Sequence, residues 1–337
     1  MSEGTTTLRE ADIRPDALMD EQARCYAADV AWLVERRESF VPVACPACDG
    51  ARAQRAWEKF GLLYERCTDC ETVYLSPRPA PDLLAEYYAT SENYEYWNRV
   101  VFPASEDARR AKVFAPRAER IVEIARRHGS SMRTLVDVGA GFGTFCEEVV
   151  QTGAFERTIA LEPEPHLAQT CRGKGLEVVQ APVEEAQVPV DEVDVITNFE
   201  VIEHLFSPRD FLLRCADLLV PGGLFVVTCP NVKGFDIVVL GANANAVDTE
   251  HLNYFHPASL SRLLCDTGFE VLETQTPGKL DAELVRKKAL AGEFDLSGQP
   301  FLEQLLLERW ETAGGPFQAF LQDRGLSSNM WLVARKR

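Results

Sequence analysis

The chain has no excess of basic residues. Its 337 residues carry 35 Lys and Arg against 52 Asp and Glu, a formal net charge of −17. A non-specific grip on nucleic acid needs cations to neutralise phosphates, so no nucleic-acid partner is expected. Arg335, Lys336 and Arg337 are too few to form a basic tract. No apolar run approaches the roughly 18 residues of a membrane helix, so no membrane span is expected. The opening MSEGTTTLREADIRPD lacks the basic start and apolar stretch of a secretory signal. Internal repeats and low-complexity tracts are absent too. What is plentiful is cysteine, with ten residues. Four form two Cys-x-x-Cys pairs, and the other six fall mostly in expected helices and strands, where thiols serve as small core residues. A cytoplasmic, reducing location fits this usage.

The length allows one large domain plus a small one, or two domains. Residues 1–43 are expected to be a helical N-terminal segment, on the apolar spacing through 23–34. Residues 44–79 are short, turn-rich and hold the four paired cysteines. Residues 80–130 are expected to be a helical cap or linker, with helices near 82–89 and 106–128. Residues 131–280 alternate strands (133–138, 157–161, 176–180, 193–198, 223–229, 269–275) with helices (143–152, 165–173, 208–219, 257–267). That alternation predicts an α/β core with a mostly parallel sheet and helices on both faces. Residues 281–337 add helices near 281–291 and 300–323 and a final strand near 329–334, expected to lie antiparallel.

The strand at 133–138 runs into Asp137-Val-Gly139-Ala140-Gly141-Phe142-Gly143 and then a helix. Glycines permit a sharp turn and close backbone approach to a ligand, and the helix start offers free N–H groups. Glu162 ends the next strand, about 20 residues on, where a carboxylate can chelate ribose hydroxyls. Dinucleotide-binding loops place the third glycine one position later, where this chain has Thr144.

In these motifs residues 132–275 resemble a class I S-adenosylmethionine (SAM)-dependent methyltransferase, whose Rossmann-like sheet ends in an antiparallel strand. The resemblance assigns Asp137, Gly139, Ala140, Gly141, Phe142, Gly143 and Glu162 to the cofactor. It gives Pro182 and Val183, in the loop 181–185, to the adenine, and Asn198 and Phe199, at the fourth strand's exit, to the methionine portion. The helix-turn-strand at 218–226 also matches.

Glu200, Glu203 and His204 follow that strand at i, i+3 and i+4, which share one face of a helix. His251 follows the fifth strand. Two carboxylates and two imidazoles suit a divalent cation, Mg or another, that polarises a substrate hydroxyl. The pattern resembles metal-assisted O-methyltransferases of ubiquinone synthesis and of small-RNA ends. Three readings stay open for Glu203, His204 and His251: metal ligands, metal-free general bases, or structural groups.

Cys45, Cys48, Cys67 and Cys70 have the spacing Cys-x2-Cys-x18-Cys-x2-Cys, which predicts a structural zinc ribbon. A ribbon ahead of a SAM domain is similar to a bacterial methyltransferase group acting in sugar, surface-polysaccharide and natural-product pathways. Tyr254, Phe255, His256, Tyr94 and Trp97 are candidate walls for an acceptor, and each also reads as packing of the cap. The expected activity is methyl transfer to a hydroxyl of a small acceptor such as a sugar, nucleotide-sugar or natural product. Sugar C-methylation with a His or Tyr base is the alternative, and a non-catalytic SAM- and zinc-binding module the third reading. A monomer and a homodimer are equally compatible with the sequence.

Overall fold

The computed structural model describes residues 8–189 and 192–337. Residues 1–7 of the expected N-terminal helical segment lie outside the described residues. Among the described residues the strands are β1 (Ala53–Lys59), β2 (Leu62–Cys67), β3 (Val73–Leu75), β4 (Thr134–Val138), β5 (Arg157–Leu161), β6 (Glu177–Val179), β7 (Val193–Phe199), β8 (Leu219–Pro230), β9 (Asn253–Tyr254), β10 (Phe269–Gln275) and β11 (Asn329–Lys336). Contacts divide the chain into two units: one of residues 8–106, 230–259 and 275–330, the other of 107–229, 260–274 and 331–337.

The second unit is built on a seven-stranded sheet in the order β10-β11-β8-β7-β4-β5-β6. The β6-β5-β4-β7-β8 pairings are parallel. The final strand is the antiparallel member, as the sequence predicts. Thr134–Val138 is buried along its whole length, as a strand covered on both faces must be. Helix Ala115–Arg127 lays Ala118, Ile121, Ile124 and Ala125 into the core with Leu135, Phe145, Val195, Val226 and Trp331. The helix expected at 106–128 starts at Phe102 and is interrupted by a wide turn at Arg110–Phe114. Pro116 follows it and has no N–H to give to the preceding turn.

The Asp194 carboxylate fixes the entry into the central strand. It accepts the N–H groups of Arg133 (3.0 Å) and Thr134 (2.9 Å) and the Ser131 hydroxyl.

The first unit centres on a four-stranded sheet, β1-β2-β3-β9. Its three N-terminal strands come from the cysteine-bearing segment. Its fourth comes from residues 230–259, which leave the sequence of the other unit after β8. Val73 and Tyr74 pair antiparallel with Tyr254 and Asn253. Helix Asp16–Glu35 belongs to the same unit. Its Asp29 receives the Ser91 hydroxyl (2.5 Å) and the N–H groups of Glu92 (2.9 Å) and Asn93 (3.0 Å), capping helix Glu92–Tyr96. The tail helices join through Asp281, which accepts from Gln318 Nε2 (2.7 Å) and the hydroxyls of Ser327 (2.6 Å) and Ser328 (2.8 Å). Among the described residues no helix is long and apolar enough to cross a membrane.

Asp194→Ala strands two strand-entry N–H groups at once. The expected loss is about 3 kcal/mol, read by urea unfolding of the full chain. A loss under about 0.5 kcal/mol would show that the cap is dispensable.

Candidate functional site

At the end of β4 the chain turns through Gly139, Gly141 and Gly143, all at positive φ. The Gly139 and Ala140 N–H groups bond the Leu161 carbonyl (2.9 and 3.2 Å), tying the loop to β5. Glu162 is 4% exposed. Its Oε2 accepts the Gly141 N–H at 2.7 Å, and its Oε1 the Glu164 N–H at 3.0 Å. A Cβ added at Gly141 would meet nothing within 4 Å, so the loop presents bare backbone to open space beside this carboxylate. At Gly139 the same atom would come within 2.5 Å of Val201 Cγ2, so a larger residue has no room.

Burial pushes the Glu162 carboxyl up to about 7, against its two N–H bonds. Burial likewise raises Asp137 to about 6, opposed by the Thr197 hydroxyl at 2.7 Å. Asn198 is buried, and its Nδ2 donates to the Val138 carbonyl at 3.0 Å. Phe199 sits edge-on to Phe145, with centroids 4.9 Å apart. Val183 is buried and Pro182 exposed, in a turn closed by Glu185 N–H to Pro182 C=O at 3.1 Å. A backbone cradle, a buried carboxylate and an apolar shelf fit an adenosyl group.

One residue at this edge escapes sequence reasoning. Arg117, from helix Ala115–Arg127, lies 4.3 Å over the Phe199 ring. Burial holds its guanidinium below its usual range, opposed by the charges of Glu200 and Asp137. The signal was available. Arg117 shares the apolar face of its helix with Phe114, Ala118 and Ile121, where a cation is out of place.

Glu200, Glu203 and His204 do not share an α-helical face, contrary to the spacing argument. β7 ends at Phe199, Glu200 turns to φ +56°, and only a single tight turn, Ile202–His204, follows. The Glu200 carboxylate accepts the Thr228 hydroxyl at 2.7 Å, and its N–H bonds the Thr228 carbonyl at 3.0 Å. Glu203 is 1% exposed, and its carboxylate lies within 4.8 Å of a ring nitrogen of His204. His251 belongs to the other unit, and its Nδ1 lies 2.7 Å from the Ala246 carbonyl.

In that unit the four cysteines meet. All four sulfurs lie within 4.8 Å of one another, with Cys45–Cys70 at 3.4 Å and Cys48–Cys67 at 3.6 Å. A tetrahedral zinc shell with bonds of about 2.3 Å has sulfur–sulfur edges of about 3.8 Å. The two knuckles have the same form. Asp49 N–H bonds Cys45 C=O (2.9 Å) and Glu71 N–H bonds Cys67 C=O (3.0 Å), and both Asp49 and Glu71 take positive φ. A Cβ at Gly50 would sit 2.8 Å from Asp69 Oδ2 and 3.2 Å from Cys48 Sγ, so a larger residue would have to push these side chains aside. Hydrogen bonds from Cys45 and Thr72 pull the Cys70 thiol well below its usual range, and the same Cys45–Cys70 contact with burial pushes Cys45 up, so this pair holds one proton between them.

The remaining candidate residues are placed as follows. Tyr254 and Phe255 are fully buried, and the Tyr254 hydroxyl bonds Asp248. His256 is buried, with Nε2 2.8 Å from the Cys70 carbonyl. Tyr94 and Trp97 are half-buried, against Tyr88 (5.9 Å) and Phe102 (5.5 Å).

With this geometry in view, residues 107–274 match the family described as "Methyltransferase domain". That segment is a class I SAM-dependent methyltransferase domain. A protein of Mycolicibacterium smegmatis, named a probable S-adenosylmethionine-dependent methyltransferase, is 28% identical over 160 residues, covering 47% of this chain and 60% of the relative. The ubiquinone biosynthesis O-methyltransferase of Burkholderia pseudomallei is 26% identical over 178 residues, 49% of this chain and 75% of that one. The chain therefore spans 60–75% of these relatives. A solved S-adenosylmethionine-dependent methyltransferase of Clostridium acetobutylicum overlays with a TM-score of 0.46 at 10% identity, covering 72% of this chain and 96% of that one.

Two outcomes follow. A ribose diol donates to an ionised carboxylate, whereas burial favours the neutral acid at Glu162. The ligand-free domain therefore loses a stabilising contribution as pH rises from 4.5 through about 7, while cofactor affinity gains. Calorimetry should show S-adenosylhomocysteine binding weaken about tenfold per pH unit below 7. Glu162→Gln should flatten the part of this trend that Asp137 does not supply, and cost about 10- to 100-fold at pH 8. A pH-independent affinity in the unsubstituted protein would refute the assignment. Elemental analysis should find one zinc per chain, and Cys45→Ser should lower both zinc content and the melting temperature, because binding and folding are coupled. A folded, zinc-free protein overturns this.

Proposed function

We propose that this protein is a SAM-dependent methyltransferase acting on a hydroxyl oxygen of a small acceptor, in the sugar, nucleotide-sugar or natural-product class. The observation that carries it is the bare-backbone cradle at Gly141 beside the buried Glu162. The O-methyltransferase name of the Burkholderia relative supports oxygen as the nucleophile.

The bound cofactor supplies an electrophilic methyl on a sulfonium. The protein must orient the acceptor and take its proton. Glu162 holds the ribose diol. Arg117 is suited to the carboxylate of the methionine tail, as a desolvated guanidinium with charge to offset. Phe199 forms the apolar shelf that keeps water away. His204 and His251 are the candidate bases, since a neutral imidazole nitrogen can accept a proton from a hydroxyl. Glu203, buried beside His204, supports a divalent cation as a second device for acidifying the hydroxyl. A zinc ion held by Cys45, Cys48, Cys67 and Cys70 would have no open position, so its role would be structural. Tyr94 and Trp97, half-buried, remain candidates for acceptor contact.

The test is turnover of labelled SAM with phenolic and sugar hydroxyl acceptors. Assays use protein dialysed to remove weak metals but retaining ribbon zinc, then given Mg²⁺ or Mn²⁺. The expected result is O-methyl product, with at least a tenfold gain on adding metal that Glu203→Gln abolishes. Product without any metal effect would assign deprotonation to histidine alone. Carbon-methylated product would replace the oxygen reading. Tight SAM binding with no transfer to any acceptor would make the chain a binding module.

A further inference from the structure

The segment that follows β6 starts beside Glu162. Leu161 pairs with Val179 in parallel register, and the Glu162 N–H donates to the Val179 carbonyl at 3.0 Å. The chain therefore leaves β6 at the edge that carries Glu162, one strand further out. Residues 182–186 then form a turn. The Glu185 N–H bonds the Pro182 carbonyl (3.1 Å), and the Ala186 N–H bonds the Val183 carbonyl (3.3 Å). Val183 and Ala186 are its buried members. β6 is three residues long and stands at the end of the sheet, so the sheet gives this turn little support.

Guanidinium groups hold the segment instead. Arg172 Nη1 donates to Gln180 Oε1 (3.0 Å) and Arg157 Nη1 to the Pro189 carbonyl (3.1 Å), both in exposed positions. Arg214, on helix Pro208–Leu218, grips the turn itself. Its Nη2 donates to the Ala186 carbonyl at 2.7 Å and its Nε to the Val183 carbonyl at 3.3 Å, both partly buried. Hydrogen bonds from a charged donor are the strong ones, and they strengthen further away from water. Of the three ties, Arg214 is therefore the one that sets the shape of the turn.

The strand order gives this turn a place along the ligand. In the run β7-β4-β5-β6, Phe199 ends β7 and the 182–186 turn follows β6, so the two lie on opposite sides of Glu162. A ribose carries its base at one end and its sulfonium tail at the other. With the diol on Glu162 and the tail toward Phe199, the base falls on the β6 side. We infer that Arg214 is a positioning residue for the base of the cofactor: by holding the Val183 and Ala186 carbonyls it keeps the turn closed, with Val183 as an apolar wall of the base pocket. The inference rests on the reading of Glu162 as the ribose carboxylate. Arg214 acts through the turn, so its loss should weaken cofactor binding and spare the chemical step.

The experiment combines amide hydrogen exchange with calorimetric binding of S-adenosylhomocysteine, both on the full chain. In Arg214→Gln, exchange at the Glu185 and Ala186 amides should rise about tenfold or more in the ligand-free chain. Affinity for S-adenosylhomocysteine should fall about tenfold, and the KM for SAM should rise to match, with kcat within about twofold. Arg214→Lys keeps one charged donor and should recover part of both losses. Glu162→Gln should weaken binding with the exchange of the turn unchanged, which separates the two roles. Unchanged exchange at the turn in Arg214→Gln overturns the inference, as does a loosened turn with undiminished affinity. An equal fall in kcat at saturating SAM also overturns it, because the turn would then serve the chemical step. Failure of the unsubstituted chain to bind S-adenosylhomocysteine refutes the underlying cofactor reading instead.

Discussion

Parallel strands cannot be joined by tight hairpins. Each must be followed by a crossover, so every strand of the β6-β5-β4-β7-β8 run ends at the same edge of its sheet. Everything cofactor-related in this unit follows from that constraint. The glycine loop leaves β4, Glu162 caps β5, Phe199 ends β7 and Thr228 nears the end of β8. These side chains are far apart in sequence, and it is strand register that aligns them: Asp137 pairs with Ala160 and Thr197. Asp194 matters for the same reason, since it fixes where β4 begins and hence where its loop emerges.

The other unit solves a different problem. A three-stranded ribbon is too small to bury a core of its own, and small folds of this size draw on a metal. Here the four thiols close the ribbon at one end and β9 extends its sheet at the other. Arg78, fully buried, binds backbone carbonyls of Leu75 (3.0 Å) and Leu252 (3.4 Å) and so ties the strands on either side of that junction. Burial lowers its guanidinium to about 10, a cost the fold accepts to hold this seam. The loop carrying His251 is thus an extension of the ribbon's own hydrogen bonding, and the cysteine cluster and the imidazole belong to one hydrogen-bonded piece.

Much of this was legible in the residues. Strands at Arg157–Leu161 and Phe269–Gln275 and the helix Pro165–Gly173 fall where periodicity predicts them, because alternating βα units carry strong local signals. The cysteine spacing pointed to a tetrahedral cluster, since each pair lies on a self-contained turn. Three features were not legible. Glu200 departs from a helix because its backbone must bond Thr228 on the neighbouring strand, a long-range demand that spacing cannot show. Residues 230–259 join the ribbon through two short pairings, too brief to leave a pattern. The packing of Tyr254 and His256 is long-range too: the Tyr254 hydroxyl meets Asp248, and His256 Nε2 meets the Cys70 carbonyl 186 residues away in sequence.

The cofactor edge is costly to maintain without its ligand. Asp137 and Glu162 are both desolvated enough to titrate near neutrality, and Arg117 is desolvated beside Asp137 and Glu200. Replacing such groups with apolar residues of similar volume is often neutral or stabilising in a core. Their presence therefore argues for a ligand that repays the desolvation. A zwitterionic tail with a sulfonium and a ribose diol carries a carboxylate, hydroxyl donors and positive charge, the groups that a guanidinium and two carboxylates take. No single one of these groups identifies that ligand. Together they ask for a ligand with charges of both signs and hydroxyl donors, which is more than the glycine spacing alone requires.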